Sequence, residues 1–417
     1  MVLMAKINIP TLASADVASL NNNFQQIEDE FNNKVLYRDN PVGEPNQMKD
    51  DLDMNSNDIL NAQTINASGV IINGVGIVAG GALSATAAGT SYDSTDSGAS
   101  DSNVKQALDS LYNNSQENLL INGDFNIWQR GTSGFTTGYV ADRWTVTTTI
   151  ADAGQDSTNK APNSIYSMYL TMSGAGSDTI EQRIESSTAV NLINKPVTMA
   201  WYHDTTTSGL TSIDVELYYA NAVDDFSGKT LIQTINIASP ADQTRLQATF
   251  NELPANAANG ISVAITYNRN GLTTAFISQA KLEEGNNATA FKHIKIGEEL
   301  IKCQRYTYVL DYNKEANQAF IADGIYTSGT AGQAIIDFPV SMRIQPTLTV
   351  NNVGNLEAND SATGVALTDL SKISNPLTTR DNMLASFTVA AGGTAFRPVR
   401  ILRSVSTASD VILSAEL

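Results

Sequence analysis

The spacing of apolar residues changes along this chain, from a helical period near the N-terminus to a strand period beyond residue 118. Val17, Leu20, Phe24, Ile27 and Phe31 follow one another at intervals of 3, 4, 3 and 4. That is the a/d spacing of a coiled coil, with Ser14 placed to cap the helix. Asn, Gln, Asp and Glu fill the positions between, so only one narrow stripe is apolar. The stripe runs for about two heptads, too short to hold a helix in water by itself. Self-association or docking is expected to cover it; packing on a core of its own is the alternative. Val104, Leu108 and Leu111 make a second short seam behind a cap at Asp101 or Ser102.

Between these seams regular structure is sparse. Pro41, Gly43 and Pro45 break residues 38–61 into an extended, turn-rich segment. Residues 64–78, TINASGVIINGVGIV, are β-branched with Asn-Gly punctuation and predict short strands with turns. Residues 79–103 are mostly Gly, Ala, Ser and Thr and read as a linker. From 118 onward strand-like runs recur near 119–121, 143–149, 165–172, 178–184, 196–203, 212–219, 230–237, 244–250, 260–267 and 274–284. SIDVELYYA and GISVAITYN alternate apolar and polar residues between turns. Strands in this number without intervening helices predict an antiparallel β-sandwich of jelly-roll type. Residues 297–305 predict a helical connector, and 306–417 a second, smaller β domain. The expected organisation is therefore an anchoring region with a short coiled coil (1–78), a linker with a trimerisation helix (79–117), a jelly roll (118–298) and a C-terminal β-rich tip (299–417).

Composition narrows the function. Of 417 residues, 16% are charged, and the formal net charge is −18. An average soluble protein carries roughly 25% charged residues; small polar residues replace them here and suit strands and turns. Such acidity repels phosphate backbones and anionic membranes, so no nucleic-acid partner is expected. One cysteine, Cys303, rules out a disulfide within the chain and, with only two histidines, the usual zinc sets. Cys303 reads as buried packing. No apolar run has the length of a membrane span or a signal peptide, so no membrane insertion and synthesis in a cytoplasm are expected.

Three stretches carry a resemblance to tail-fibre and tailspike subunits of tailed, podovirus-like bacteriophages. RDNPVGEPNQMKDDLDMNSNDILN resembles a virion-anchoring segment. SYDSTDSGASDSNVKQALDSLYNN is similar to linkers that precede fibre trimerisation elements. ENLLINGDFNIWQRGTSGFTTGYVADRW, with DTIEQRIE and AKLEEGNNATAFKHIKIGEELIKCQRY, looks like a jelly-roll, carbohydrate-binding-like module of phage fibres. Together they span about two thirds of the chain; the C-terminal region matches none of them. The resemblance implies a homotrimeric fibre in the virion, with Val17, Leu20, Phe24, Ile27, Phe31, Val104, Leu108 and Leu111 at the trimer interface. Its N-terminus would attach to tail or portal-proximal virion proteins, and its β domains would contact a host-surface glycan or protein. A head fibre, decoration or neck-collar protein of the same architecture is the alternative, and a polysaccharide-degrading tailspike a more distant one.

The resemblance further implies a structural calcium between the Asn122-Gly123-Asp124-Phe125 motif and the late acidic strand, held by Asp124 and Glu283; a turn capped by Asp124 is the other reading. No other cofactor is expected. Trp128, Trp144 and Trp201 could stack on sugars, but their places at strand ends favour core packing. Arg130, Asp142 and Arg143 are expected to pair and lock the loop between them. Asp50, Asp51 and Asp53, like Asp224 and Asp225, read as a solvated face or as caps on turns, and no nucleophile elbow or metalloprotease motif occurs. No catalytic residue is assigned, and the chain is not expected to be an enzyme.

Overall fold

The computed structural model describes residues 21–27, 69–72, 75–78, 104, 105, 108, 117–206, 209–310, 320–360, 364–373, 377–403 and 411–417. Contacts divide the chain into two units, Met1–Ser84 and Ala85–Leu417. In the first, residues 21–27 are helical, and Phe24 is 64% exposed there. Strands β1 (Gly69–Ile72) and β2 (Val75–Val78) pair antiparallel with Ile72 opposite Val75. The pairing matches the short strands expected over 64–78; the Asn-Gly pair at 73 and 74 lies outside the described residues. In the second unit Leu108 is helical and 55% exposed. Val17, Leu20, Phe31 and Leu111 lie outside the described residues, as do Asp50, Asp51 and Asp53.

The body of the second unit is antiparallel β-structure with few helices. Its first part comprises β3 (Gly138–Tyr139), β4 (Thr145–Val146), β5 (Asp152–Asp156), β6 (Ser167–Met172), β7 (Ala175–Ile184), β8 (Val197–Thr205), β9 (Leu210–Ala222), β10 (Asp225–Ala238), β11 (Thr244–Phe250), β12 (Ile261–Asn270) and β13 (Thr273–Glu284). They form a six-stranded sheet ordered β10-β9-β12-β7-β4-β3 and a five-stranded sheet ordered β11-β8-β13-β6-β5. The two-residue period decides which side chains meet between the sheets. Ile213, Val215 and Leu217 of β9 and Ile261, Val263, Ile265 and Tyr267 of β12 point inward from one sheet. Val197, Met199 and Trp201 of β8 and Ala275, Ile277 and Leu282 of β13 meet them from the other, in one continuous core. From β6 to β9 the chain alternates between the sheets, as in jelly-roll sandwiches. The run 119–121 is not a strand. Side chains take most of its backbone partners instead: Asn118 donates to the Ala280 carbonyl and accepts from the backbone N–H groups of Leu120 and Leu282, and Gln182 pairs with both the N–H and the carbonyl of Ile121.

Helix α1 (Ile296–Gln304) leads to the second part, with β14 (Thr307–Leu310), β15 (Phe320–Tyr326), β16 (Ala331–Asp337), β17 (Thr347–Val350), β18 (Leu356–Asn359), β19 (Gly364–Lys372), β20 (Asn382–Val389), β21 (Pro398–Arg403) and β22 (Val411–Ser414). Six of these close into a barrel, β15-β16-β20-β19-β18-β21, and β14-β22-β17 form a small sheet. Closure leaves the barrel strands without a free edge. Met383, Ala385, Phe387 and Val389 of β20 alternate inward, and with Tyr326, Ile336 and Ile401 they fill the barrel core.

Buried charge joins the two parts. Arg130 pairs with Asp142 at 3.5 Å, as the sequence suggested. Arg143 does not join that pair: it turns to Glu416, which also meets Arg130 at 3.3 Å and accepts from Thr307 Oγ1 at 2.8 Å. The guanidinium of Arg143 lies 3.6 Å from the centre of the Tyr306 ring. Burial pushes Asp142 up to about 6, while Arg143 and Arg130 hold the buried Glu416 below its ordinary value against desolvation. The expected loop lock is thus an interdomain clamp, closed by a residue 273 positions away from Arg143. Arg305 and Tyr306 fasten the connector by donating to Glu185 at 2.8 and 2.5 Å.

Candidate functional site

The outer face of the six-stranded sheet carries the most organised polar surface of the sandwich. The inward positions of β9 and β12 are apolar, and those of β7 alternate Ile180 and Ile184 with the buried Asp178 and Gln182, so the remaining positions face outward, and the strand register sets them in rows. One row runs Thr179, Thr266, Asp214, Asn236; the next runs Glu181, Ala264, Glu216, Thr234; a third runs Arg183, Ser262, Tyr218, Leu231. Ser177, Asn268 and Ser212 begin the grid at one end.

These side chains hold one another. Asn236 Nδ2 donates to Asp214 Oδ1 at 2.6 Å, and Asn268 Nδ2 donates to Asp214 Oδ2 at 2.7 Å. Ser177 Oγ donates to Asn268 Oδ1 at 2.6 Å, which fixes that amide's orientation. Thr179 and Thr266 share a hydroxyl contact at 2.8 Å, and Thr266 Oγ1 reaches Glu216 Oε2 at 3.2 Å. Lys229 pairs with Glu181 and sits 4.3 Å from the centre of the Tyr218 ring. Burial, then the Glu216 carboxylate, push the Tyr218 phenol up to about 12. The result is a fixed array of carboxylate, amide and hydroxyl groups beside one aromatic ring. Such an array can accept and donate hydrogen bonds to a ligand rich in hydroxyls and offers a ring for its apolar face.

The Asn122–Phe125 motif is structural. Asn122 and Phe125 have positive φ, 58° and 53°. The Asn122 amide donates to the carbonyls of Ile127 and Asp142 at 2.9 and 3.1 Å, and its oxygen accepts from Ile127 N–H. A Cβ at Gly123 would run into the Ala280 carbonyl, whose own N–H donates to Gly123 O at 2.7 Å. Only glycine allows this approach.

Asp124 and Glu283 are placed apart in their interactions. Asp124 accepts from Ser164 at 2.6 Å and pairs with His293 at 3.0 Å. Glu283 pairs with Lys281 at 2.9 Å and accepts the Thr289 backbone N–H at 2.6 Å. A small cavity of about 20 Å³ under the motif is lined by Asp124, Asn126 and Glu299 but not by Glu283. Calcium needs six to eight oxygens around one point; here Asp124 and Glu283 hold separate partners, and of the two only Asp124 lines this cavity. Among the described residues no cluster of three or more His, Cys, Asp or Glu side chains could hold a metal.

Trp144 and Trp201 are wholly buried, Trp128 nearly so, and Cys303 lies inside the fold. The tryptophans therefore pack the core and offer no stacking platform. Asp224 caps the turn at Ser186, accepting its N–H at 2.7 Å. The grid residues Asp214, Glu216, Asn236, Thr266 and Asn268 were not singled out in the sequence. For all but Asn236, which lies on β10, their signal was the polar half of SIDVELYYA and GISVAITYN, which acquires meaning only once the two runs are known to be neighbours.

No protein family matches the chain, and no curated protein does so either. Among solved structures, a family 61 carbohydrate-binding module in complex with β-1,4-galactotriose is similar at 11% identity, covering 40% of this chain and 99% of that one, with a TM-score of 0.28. A family 16 carbohydrate-binding module is similar at 13% identity, covering 31% and 84%, with a TM-score of 0.23. The enzymatically active domain of tailspike protein 4 of bacteriophage CBA120 is similar at 12% identity, covering 40% and 21%, with a TM-score of 0.29. At identities and TM-scores this low, the likenesses establish neither family nor function.

Proposed function

We propose that this chain is a glycan-binding subunit of a bacteriophage tail fibre, which attaches to the virion through its N-terminal region and meets the host surface through its β domains. The observation that carries the binding reading is the hydrogen-bonded grid around Asp214, fixed before any ligand arrives. Preorganised polar groups lose little freedom on binding, so they favour a ligand that pairs with them. The fibre reading is supported by the resemblance of the N-terminal and NGDF-containing stretches, and by apolar side chains at helical seams, Phe24 and Leu108, left in water in a single copy. A trimer covers such seams and adds avidity, because each further contact becomes intramolecular. We place the protein in the virion, as a binder that leaves the glycan intact. Both oxygens of Asp214 are already engaged by amide donors, and Glu216 is held by Thr266.

An array of bacterial surface glycans probed with the labelled full-length chain tests this reading. Binding to a subset of glycans is expected, with loss in Asp214→Ala and Asn268→Ala. An array that stays blank, or binding indifferent to both substitutions, contradicts it.

A further inference from the structure

The second part of the fold carries an open cleft of about 610 Å³ between the segment entering β17 and the turn entering β20. Each wall supplies one guanidinium. Arg343 is tied down by Nε donating to Ala415 O at 2.8 Å and Nη2 donating to Glu416 O at 2.7 Å. Arg380 is tied by Nε donating to Met342 O at 2.7 Å. That single bond fixes the Arg380 guanidinium plane and leaves its two outer nitrogens with no partner among the described residues. Gln345 crosses the cleft floor, its amide donating to Thr378 O at 2.7 Å. The one acid on the lining, Asp381, is engaged by Ser341. Ile344 lines the cleft at 47% exposure, and Leu377, beside Thr378, is 51% exposed.

On a chain with a net charge of −18, two cations against one engaged acid make this a local reversal of sign. A fork of N–H donors held by its Nε is the geometry that takes a carboxylate or phosphate through two parallel hydrogen bonds. Exposed isoleucine and leucine beside it suit the C–H face of a sugar ring rather than a bare inorganic ion. We propose that this cleft is a second binding site, for a saccharide bearing a carboxylate, with Arg380 and Arg343 taking the carboxylate and Ile344 the ring. The proposal goes beyond the sheet-face reading: it concerns another part of the chain and another ligand chemistry, and it stands or falls separately.

The test is calorimetric titration of the full-length chain with oligogalacturonate and with sialyllactose, each alongside its methyl ester, which keeps the sugar and removes the charge. At least one acid is expected to bind about tenfold or more tightly than its ester, the equivalent of one charge-assisted hydrogen bond. Affinity should fall as salt rises. Arg380→Gln should lose about tenfold or more, and Arg380→Lys, which keeps the charge but not the fork, should recover part of it. An unchanged melting temperature in these variants excludes unfolding as the cause. Asp214→Ala should leave acid binding intact, so failure of the sheet-face reading does not touch this one. Equal affinity for acid and ester, failure of both acids to bind, acid binding kept in Arg380→Gln, or acid binding lost in Asp214→Ala would each overturn the proposal. Inorganic phosphate binding as tightly as the saccharides would also overturn it, by reducing the site to a simple anion site.

Discussion

His203 gives the sandwich a calculable sensitivity to acid. It is fully buried on β8, its ring 6.0 Å from that of Tyr267 on the facing sheet. Neither ring nitrogen has a hydrogen-bond partner among the described residues. Asp242 lies 3.9 Å from Nε2, but it is half in solvent, and burial outweighs its attraction: the imidazole is pushed down to about 4. A base whose folded value lies below its unfolded value near 6.5 favours the folded state only while neutral. This stability is therefore complete above about pH 6.5 and is lost as pH falls toward 4. At about 1.36 kcal/mol per pH unit the full loss is about 3 kcal/mol, of which about 2 kcal/mol has gone by pH 5. For a body of this size that corresponds to roughly 4–8 °C in melting temperature. The perturbation is His203→Leu, similar in volume and unable to take a proton. Calorimetric melting of both proteins at pH 7.5 and pH 5 gives the comparison, since the carboxylates that titrate in both cancel in the difference. The wild type should lose roughly 4–8 °C more than the variant over this interval. Parallel losses would show that His203 does not titrate against a buried, unpartnered site and would refute the reasoning.

Three further outcomes follow from the same contacts. Gly123→Ala should destabilise the sandwich by about 1–3 kcal/mol in urea unfolding, because its methyl group and the Ala280 carbonyl compete for one space; a neutral result would mean the turn can move. Glu416→Ala should cost about 3–5 kcal/mol, since it strands the buried guanidinium of Arg143; a loss within error would show that the clamp does not couple the two parts. Light scattering of the full-length chain should return the mass of three copies, and Phe24→Asp with Ile27→Asp should lower it; a monomeric wild type would remove the trimer from the proposal.

What could be read in the sequence, and what could not, divides along the range of the interactions. β9 and β12 were legible because their alternation is local and their inward residues are apolar at every second place. The hairpin of β1 and β2 was legible for the same reason, with Asn-Gly between two β-branched runs. Residues 119–121 misled because their apolar character was that of a strand, while the side chains of Asn118 and Gln182 take the backbone partners of Leu120 and Ile121 that a strand would need. The C-terminal region could be read as β-rich but not as a barrel, since closure depends on β21 pairing with β15 and β18, far away in sequence. Arg143 was paired with the wrong acid because proximity in sequence favoured Asp142, whereas folding brings Glu416 to it. The grid around Asp214 and the cleft at Arg380 were invisible for a related reason: each is assembled by register or by loops from separate segments, and no single segment carries a motif.

The sheet-face account is tested most directly by hydrogen exchange on the full-length chain, with and without a glycan selected on the array. The account predicts slowed exchange in β9, β10 and β12 around Asp214, Asn236 and Asn268. Protection confined to other strands, with these three unchanged, would contradict it.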